Sequence, residues 1–352
     1  MVWMSPLMLS GLLAVASGDS CANLPLRGSA PVILGDLAPA WVADIGRGGG
    51  RPRIDLFKPF GPPIGALDPA LEAFLEGRAD FAFLTRDLAE ADLTTFRNAH
   101  DGAVPLVIPV AAGAWDRFGY VDAIAVIVND ANPVRRLSFR QLDAIFSATR
   151  LRGGKAVADW AELGVRRWRG RPIHIVGGDA WSGQESARAL TIRRRVLSVA
   201  GRRGVWRAAA NTGGEADIVD RVAADPLAIG FTGMGHLKPG VRAVAIASGD
   251  RTPAYAPSRA AIVANRYPLA RTVDLLVAPH GGCVESVRSF ARYLLSQRAQ
   301  AIVARTGPFL ALPPGITRRS SRLIAKMAPI EAGISASSRT RNGKGGNGRT
   351  GP

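Results

Sequence analysis

Cysteine is scarce in this chain, and its scarcity excludes two classes of protein. Only Cys21 and Cys283 occur among 352 residues, which is too few for a disulfide-rich scaffold and lacks the spacing of a metal centre. One bridge between them would suit an exported protein, although nothing in the sequence requires it. The histidines share no helical face or ligand spacing, so no metal site is expected. They are His100, His174, His236 and His280.

Long apolar runs are missing as well. Beyond the N-terminus, no segment approaches the roughly 20 apolar residues that a membrane span needs. The first residues, MVWMSPLMLSGLLAVASG, form a short apolar run that lacks the usual positive start, and Ala14-Val15-Ala16 within it resembles a cleavage site. We therefore expect residues 1–23 to be a signal peptide and the protein to be periplasmic or secreted. Lipidation of Cys21 is disfavoured, because Asp19-Ser20 is a poor approach to such a site.

Positive charge, in contrast, is abundant and unevenly placed. The formal net charge is +17. From Ile316 onward eight basic residues face one acid, Glu331, so this segment carries +7. It is rich in Gly and Ser, and we expect residues 316–352 to be a disordered basic tail. The rest has no zinc-finger spacing and no basic strand interleaved with aromatics, so no specific nucleic-acid partner is expected.

The chain between these ends alternates short apolar runs with amphipathic segments, a pattern typical of an α/β fold. Ser138 and Gln141 form a capping box before a helix whose buried face is Leu142, Ile145 and Phe146. Helices are also predicted from Asp36, from Asp68, over Asp217–Ala223 and over Val287–Ala304. The predicted strands are Pro31–Leu34, Arg53–Phe57, Phe81–Leu84, Ala123–Val128, Pro172–Val176, Ala228–Phe231 and Val273–Ala278.

The stretch GGDAWSGQESARAL, residues 177–190, predicts a further helix start. Ser182 and Glu185 have the spacing of a capping box. A helix start presents unpaired backbone N–H groups and a partial positive charge. It therefore serves either as a simple capped end or as a seat for an anion.

Three predicted strands end in short polar turns that approach a helix. These turns are Gly35-Asp36, Thr85-Arg86 and Ser182-Gly183-Gln184. In open α/β sheets, ligands gather outside the carboxyl ends of the strands, where helix starts point. Turns that converge in this way favour a site for a small anion.

Six segments, in this order, resemble a known family. They are YVDAIAVIVNDANPVRRLSFRQLDAIFS, DWAELG, RPIHIVGGDAWSG, VAADPLAIGFTGMGHL, YPLARTVDLLV and RYLLSQRAQAIVARTGPFLALP. They are similar to segments of the PstS-like phosphate-binding proteins of ABC importers, in the type II periplasmic-binding-protein superfamily. The resemblance runs from about Val32 to Pro314.

The resemblance implies two α/β lobes that close over a ligand, with lobe 1 at residues 24–119 and 261–315 and lobe 2 at 120–260. It also implies a ligand set of backbone N–H groups and hydroxyls. The family's Ser-Gly-Thr loop matches Ser182-Gly183-Gln184, and its turn after the third strand matches Thr85-Arg86. Its first-strand loop falls near Gly35-Asp36, with Gly28-Ser29 as a competing alignment.

The chain departs from the family at several of these positions. Gly178 stands where many relatives have Arg, and Gln184 replaces Thr, although its amide can still donate. Pro62 and Pro63 replace a donor-bearing glycine-rich segment. Arg86 is the candidate substitute for the missing Arg, the alternative being an ion pair with Asp87 or a solvated charge.

Asp36 has two interpretations. It either caps a helix or accepts the proton of a hydrogen phosphate, which would exclude fully ionised sulfate. Trp181, next to Ser182, either lines the cleft or packs in the core.

The function expected from the resemblance is capture of phosphate or a similar oxyanion by a monomer without cofactors, for an ABC transporter permease or a sensor. Hydrolysis by Ser182 is disfavoured, because Ala180 stands where a nucleophile elbow needs Gly. The alternative is a basic interaction protein of the same fold without high-affinity phosphate binding, whose tail contacts anionic partners.

Overall fold

Two mixed β-sheets covered by helices organise the chain. A computed structural model describes residues 21, 24–47, 52–57, 69–177, 185–207 and 214–327. One sheet has five strands in the order β2-β1-β3-β11-β4, and the other has four in the order β7-β8-β5-β9. A short parallel ladder joins β6 to β10. The predicted α/β class is confirmed.

The strands are β1 (Leu26–Ser29), β2 (Ile54–Phe57), β3 (Phe81–Leu84), β4 (Leu106–Ala112), β5 (Ile124–Asn129), β6 (Arg136–Ser138), β7 (His174–Ile175), β8 (Ala228–Gly233), β9 (Val241–Ala243), β10 (Ala245–Ala247) and β11 (Thr272–Val277). The helices are α1 (Leu37–Gly46), α2 (Pro69–Leu75), α3 (Glu90–Ala99), α4 (Phe139–Phe146), α5 (Ala187–Ile192), α6 (Glu215–Ala224), α7 (Arg259–Val263), α8 (Val284–Leu294), α9 (Gln297–Arg305) and α10 (Pro314–Ile324). A π-helical turn, Arg193–Leu197, continues α5. Within the described residues, no helix has the length and hydrophobicity that crossing a membrane requires.

Each sheet is buried on both faces. Phe81, Phe83 and Leu275 pack with α1 and α8 on one side of the five-stranded sheet, and Ala82 and Leu276 pack with α2 and α3 on the other. The four-stranded sheet is also covered on both faces, because alternate residues of β5 pack in two separate hydrophobic clusters. The continuous apolar run at residues 123–128 is the pattern expected of a strand covered on both faces.

The predicted capping box is confirmed. The Ser138 hydroxyl accepts from Gln141 N, and the Gln141 side chain accepts from Ser138 N. Leu142, Ile145 and Phe146 are buried, as predicted.

Three predicted elements are corrected. Val32–Leu34 is a 3₁₀ turn rather than a strand; Leu34 is buried, Ile33 is partly buried against the core, and Val32 is 67% exposed. The long helix predicted over Val287–Ala304 is two helices, since Ser296 caps a new one by accepting from Ala299 N. Residues 316–327 are not a disordered tail.

The segment at 316–327 is ordered because α10 has an apolar face. Ile324 and Met327 belong to the core, and buried Ser320 donates to Pro109 O. Residues 328–352 lie outside the described residues.

The second boundary between the predicted lobes also moves. Residues 261–269 were assigned to lobe 1, but Ala261, Ile262 and Leu269 pack in the core of the four-stranded sheet. Buried Tyr267 donates its hydroxyl to Ile124 O of β5. The chain therefore leaves the four-stranded sheet at about residue 270.

Cys21 and Cys283 form a disulfide across a separation of 262 residues. A signal peptide of residues 1–23 would remove Cys21, so the disulfide requires any cleavage to fall earlier, as it would after Ala16. It also excludes lipidation of Cys21, because the sulfur is already bonded. Residues 1–20 lie outside the described residues.

Asp274 is an ionisable residue inside the five-stranded sheet. It lies on β11 opposite Leu84 of β3, and its Oδ1 is buried without a hydrogen-bond partner. Burial, together with the neighbouring charge of Asp87, raises the pKa of Asp274 to about 7, against the opposing effects of Thr272 and Arg195. The folded protein therefore holds this carboxyl protonated at a pH where the unfolded chain releases the proton.

Removal of the disulfide should lower the free energy of unfolding by about 2–5 kcal/mol, because the unfolded chain gains freedom. Urea unfolding of the oxidised protein with and without reductant measures the loss. The double variant Cys21→Ser/Cys283→Ser is the control, and reductant should leave it unchanged. Equal stability of the oxidised and reduced parent would contradict the bridge.

The stability of the parent should fall as the pH rises from about 4 to about 7, because ionising Asp274 costs more in the folded state than in the unfolded one. Asp274→Asn should remove this part of the pH dependence and be the more stable protein above pH 7. Urea unfolding at a series of pH values makes the comparison. Parallel curves for variant and parent would show that Asp274 does not titrate in this range.

Candidate functional site

The edges of the two sheets come together at the candidate site. β1 and β3 are parallel, so their carboxyl ends, Ser29 and Leu84, lie at one edge of the five-stranded sheet. β11 runs antiparallel to β3, which brings its first residues to the same edge. In the four-stranded sheet, β7 is parallel to β8 and β8 is antiparallel to β5. The ends of β7 and β8 therefore lie beside the start of β5.

The first predicted turn does not end a strand. Gly35 and Asp36 are exposed residues between the 3₁₀ turn and α1. Asp36 stands at the N-cap position of α1, but its side chain makes no capping hydrogen bond. The strand that enters this edge is β1, which ends in Ser29. The alternative alignment, Gly28-Ser29, is thus the one at the carboxyl end of a strand.

Gly28 is required for packing at this edge. A Cβ at residue 28 would lie 1.9 Å from the ring of Phe81. Ser29, next to it, is fully buried.

The second predicted turn follows β3, as expected. Thr85 O accepts from Arg271 Nη2 at 2.8 Å. Arg86 forms a two-pronged ion pair with Asp92, at 2.6 and 3.1 Å. Asp92 also accepts from Ala89 N at the start of α3. Arg86 therefore forms an ion pair with Asp92, and its role in ligand binding stays a prediction.

The third predicted turn, Ser182-Gly183-Gln184, lies outside the described residues, as do Gly178, Trp181 and the Pro62-Pro63 segment. The helix after it does not begin at Ser182. Ser186 caps α5 by accepting from Ala189 N at 3.1 Å, and the Glu185 carboxylate is bound to Arg193 at 2.5 Å. Glu185 therefore contacts the end of α5 through Arg193.

Asp122 is the buried charge at the junction of the two sheets. It is fully buried just before β5. Its Oδ1 accepts from Arg188 Nη2 at 2.7 Å, and its Oδ2 accepts from Gly235 N at 2.9 Å. A Cβ at Gly233 would lie 2.1 Å from Asp122 Oδ2, so only glycine lets the carboxylate approach the end of β8. Arg188, in the first turn of α5, is thereby anchored at this edge.

Arg271 links the same junction to the five-stranded sheet. It is buried at the start of β11, and its carbonyl accepts from Gly113 N at 2.9 Å. Burial and the neighbouring charge of Arg188 lower the pKa of Arg271 to about 10. The guanidinium stays charged at neutral pH.

A second set of contacts joins the turn after β3 to the end of α5. Arg194 donates to Leu88 O. Arg195 Nε lies 3.5 Å from Asp87 Oδ2, and Arg195 Nη1 donates to Ala270 O at 2.6 Å. Because a helix rises about 1.5 Å per residue, Arg194 lies about 12 Å along the axis from Ser186. The structure thus brings the Thr85-Arg86 turn to the helix that follows the Ser182 loop.

Sequence reasoning missed Asp122, Arg188, Arg195 and Arg271. Their signal in the sequence is weak. Asp122 and Arg271 are single charges just before apolar strands, and such charges are usually solvated. Only the tertiary contacts reveal that they are buried together.

The geometry can be compared with known proteins. A model described as a PBP superfamily domain matches residues 68–298. The phosphate-binding protein PstS of Pseudomonas aeruginosa is 28% identical over 253 residues, which cover 70% of this chain and 72% of the relative.

Solved structures agree on the fold. An ABC-type phosphate transport receptor from Vibrio cholerae aligns with a TM-score of 0.51 at 16% identity, over 81% of this chain and 99% of that one. PstS from Borrelia burgdorferi aligns with a TM-score of 0.50 at 15% identity, over 82% and 99%. The two-lobed type II fold is confirmed. Since the domain model covers well over half of the sequence, the chain belongs to the PBP superfamily, within which it resembles the PstS-like proteins.

Proposed function

We propose that this chain is a non-enzymatic extracytoplasmic binding protein that captures phosphate or a similar small oxyanion for an ABC importer or a sensor. The single observation behind the proposal is the cluster of three arginines where the sheet edges meet. Arg188 is paired with Asp122, Arg195 lies near Asp87, and the buried Arg271 lies near both Arg188 and Arg195. These guanidinium groups would attract an anion placed between the lobes, and the attraction is strong in a site of low dielectric.

The names of the relatives support phosphate as the ligand. The curated relative is called a phosphate-binding protein. The departures at Gly178, Pro62 and Pro63 remove donors that many relatives have, so we expect weaker binding than in those relatives.

The proposed lobes meet at the two crossings of the chain. Lobe 1 comprises residues 24–119 and about 271–315, and lobe 2 comprises residues 120 to about 270. The first crossing leads into β5 and the second into β11, so both pass through the Asp122–Arg271 junction.

The proposed ligand contacts come from three segments. The N–H groups and side chains of Ser182, Gly183 and Gln184 would bind from lobe 2, and the Thr85 hydroxyl from lobe 1. Of the two first-strand alignments, Ser29 is preferred to Gly35-Asp36 because it ends β1. Asp36 stays a candidate acceptor for the proton of a hydrogen phosphate.

Arg86 is assigned a positioning role. Its guanidinium neutralises Asp92, whose side chain is only 13% exposed. Truncation of Arg86 would leave that carboxylate without its cation, which is costly for a partly buried charge. If such a variant bound phosphate more weakly, part of the effect would therefore come from its lower folding stability.

Lobe closure is the proposed mechanism. An anion that touches both lobes favours the closed state by its extra contacts there. The contacts from Arg194 to Leu88 O and from Arg195 to Asp87 join the lobes directly. They would stabilise the closed form once the ligand is bound.

Calorimetric titration with phosphate tests the function. The parent should bind phosphate, and Ser182→Ala should bind about tenfold or more weakly, because a hydrogen bond to a charged group contributes about 1.5–3 kcal/mol. Ser321→Ala, at an exposed serine of α10, is the matched control and should bind like the parent. The same affinity in all three proteins would remove Ser182 from the site, and no heat of binding in the parent would refute the function.

Arg195→Ala should weaken phosphate binding several-fold, because a smaller closed fraction raises the apparent Kd in proportion. Arg203→Ala, which removes an exposed arginine nearby in sequence, should leave the affinity unchanged. Small-angle scattering at a phosphate concentration near the Kd of the parent should show a larger radius of gyration for Arg195→Ala than for the control, because less of the variant is closed. Identical affinities and radii would exclude Arg195 from the closed-state contact.

A further inference from the structure

Helix α10 and the turn after it carry exposed cations at intervals of four residues. Arg318 and Arg322 lie on one face of the helix, and Lys326 follows in the turn after Ile324; all three are exposed. We call these three residues the basic stripe. Arg318 and Arg322 are about 6 Å apart along the helix axis. Arg319, also exposed, lies beside it.

The basic stripe has no counter-charge in the described part of the chain. Residues 314–327 contain no acid, and none of the stripe residues forms an ion pair with a described residue. Glu285, on the adjacent helix α8, is bound by Arg288 at 2.5 Å. Like charges four residues apart destabilise a helix. The stripe charges therefore form no ion pair with the described residues and can face an anionic partner.

A groove of about 530 Å³ runs beside the stripe, between α9 and α10. Arg318 and Arg322 line it together with Thr317 and Ser321. Leu295, Leu312 and Pro314 add apolar surface. Cations and hydroxyls next to aliphatic surface match the chemistry of a phospholipid headgroup and its glycerol ester.

The sequence continues the same charge beyond the described residues. Residues 328–352 begin two positions after Lys326 and carry four cations against one acid. The whole segment from 316 to 352 contains no aromatic residue. Proteins that bind single-stranded nucleic acid stack bases on aromatic side chains, so this composition argues against such a partner.

We propose that the basic stripe, together with Arg319 beside it, binds an anionic phospholipid bilayer. Clusters of four to eight Lys and Arg are typical of segments that bind anionic membrane surfaces, with about 1 kcal/mol for each cation near the surface. Binding of this kind is separate from the phosphate site and would keep the protein near a membrane importer.

Vesicle co-sedimentation of the full chain tests this proposal. The parent should bind vesicles that contain phosphatidylglycerol and should not bind vesicles of phosphatidylcholine alone. Binding should be lost at about 0.5 M salt, because salt screens exposed charges. Arg318→Gln/Arg322→Gln/Lys326→Gln should weaken it by about fivefold for each cation, on the order of a hundredfold in total.

The matched control removes three other exposed arginines, as Arg166→Gln/Arg169→Gln/Arg171→Gln. This variant has the same net charge as the stripe variant and should bind vesicles within about twofold of the parent. Calorimetry should give the same phosphate affinity for both variants. Vesicle binding and phosphate binding are therefore tested separately, and the loss of one does not imply the loss of the other.

Three results would overturn the proposal. The first is that the parent does not bind phosphatidylglycerol vesicles at low salt. The second is that the control loses as much vesicle binding as the stripe variant, which would show that binding depends on net charge and not on the position of the cations. The third is that a double-stranded oligonucleotide or an acidic protein binds through the stripe while vesicles do not.

Discussion

Burial of the Asp122 carboxylate requires that a cation and a backbone donor be brought to it, because an ionised group without partners is unstable away from water. Arg188 and Gly235 N meet this requirement, and in doing so they hold the first turn of α5 and the end of β8 against the start of β5. Arg271 then connects this junction to Thr85. The position of the proposed binding cleft follows from this one buried charge.

The parts of the fold that the sequence predicts are those decided by local patterns. The apolar run at 123–128 and the Ser138 capping box need no tertiary information. Val32–Leu34 was misassigned because a three-residue apolar run suits a strand or a turn equally well. α10 was missed because its buried positions, such as Ser320 and Ile324, are hidden among exposed cations.

The candidate site was less predictable, since it depends on pairs that are distant in sequence. Asp122 and Arg188 are separated by 66 residues, and Thr85 and Arg271 by 186. A single sequence offers no signal for such pairs. The polar residues Thr85-Arg86 correctly predicted a turn at the edge of the sheet. They could not show that Arg86 is bound to Asp92. The family resemblance supplied the ligand class, which local patterns left as an unspecified anion.

Positive charge occurs in two physically different settings in this protein. At the sheet junction it is buried and partly neutralised, so its interactions are strong and little affected by salt. On α10 and in the turn after it the charge is exposed and forms no ion pair with a described carboxylate, so its interactions depend on salt and on a surface of many charges. The first setting suits a single small anion, and the second suits an extended anionic partner.

A crystal structure of the protein grown with phosphate would show where the anion binds. We expect phosphate density between the lobes, within hydrogen-bond distance of the Thr85 hydroxyl and the Ser182 loop, with Arg188 and Arg271 close by. Phosphate bound elsewhere on the protein, or apolar side chains filling the space between these segments, would contradict it.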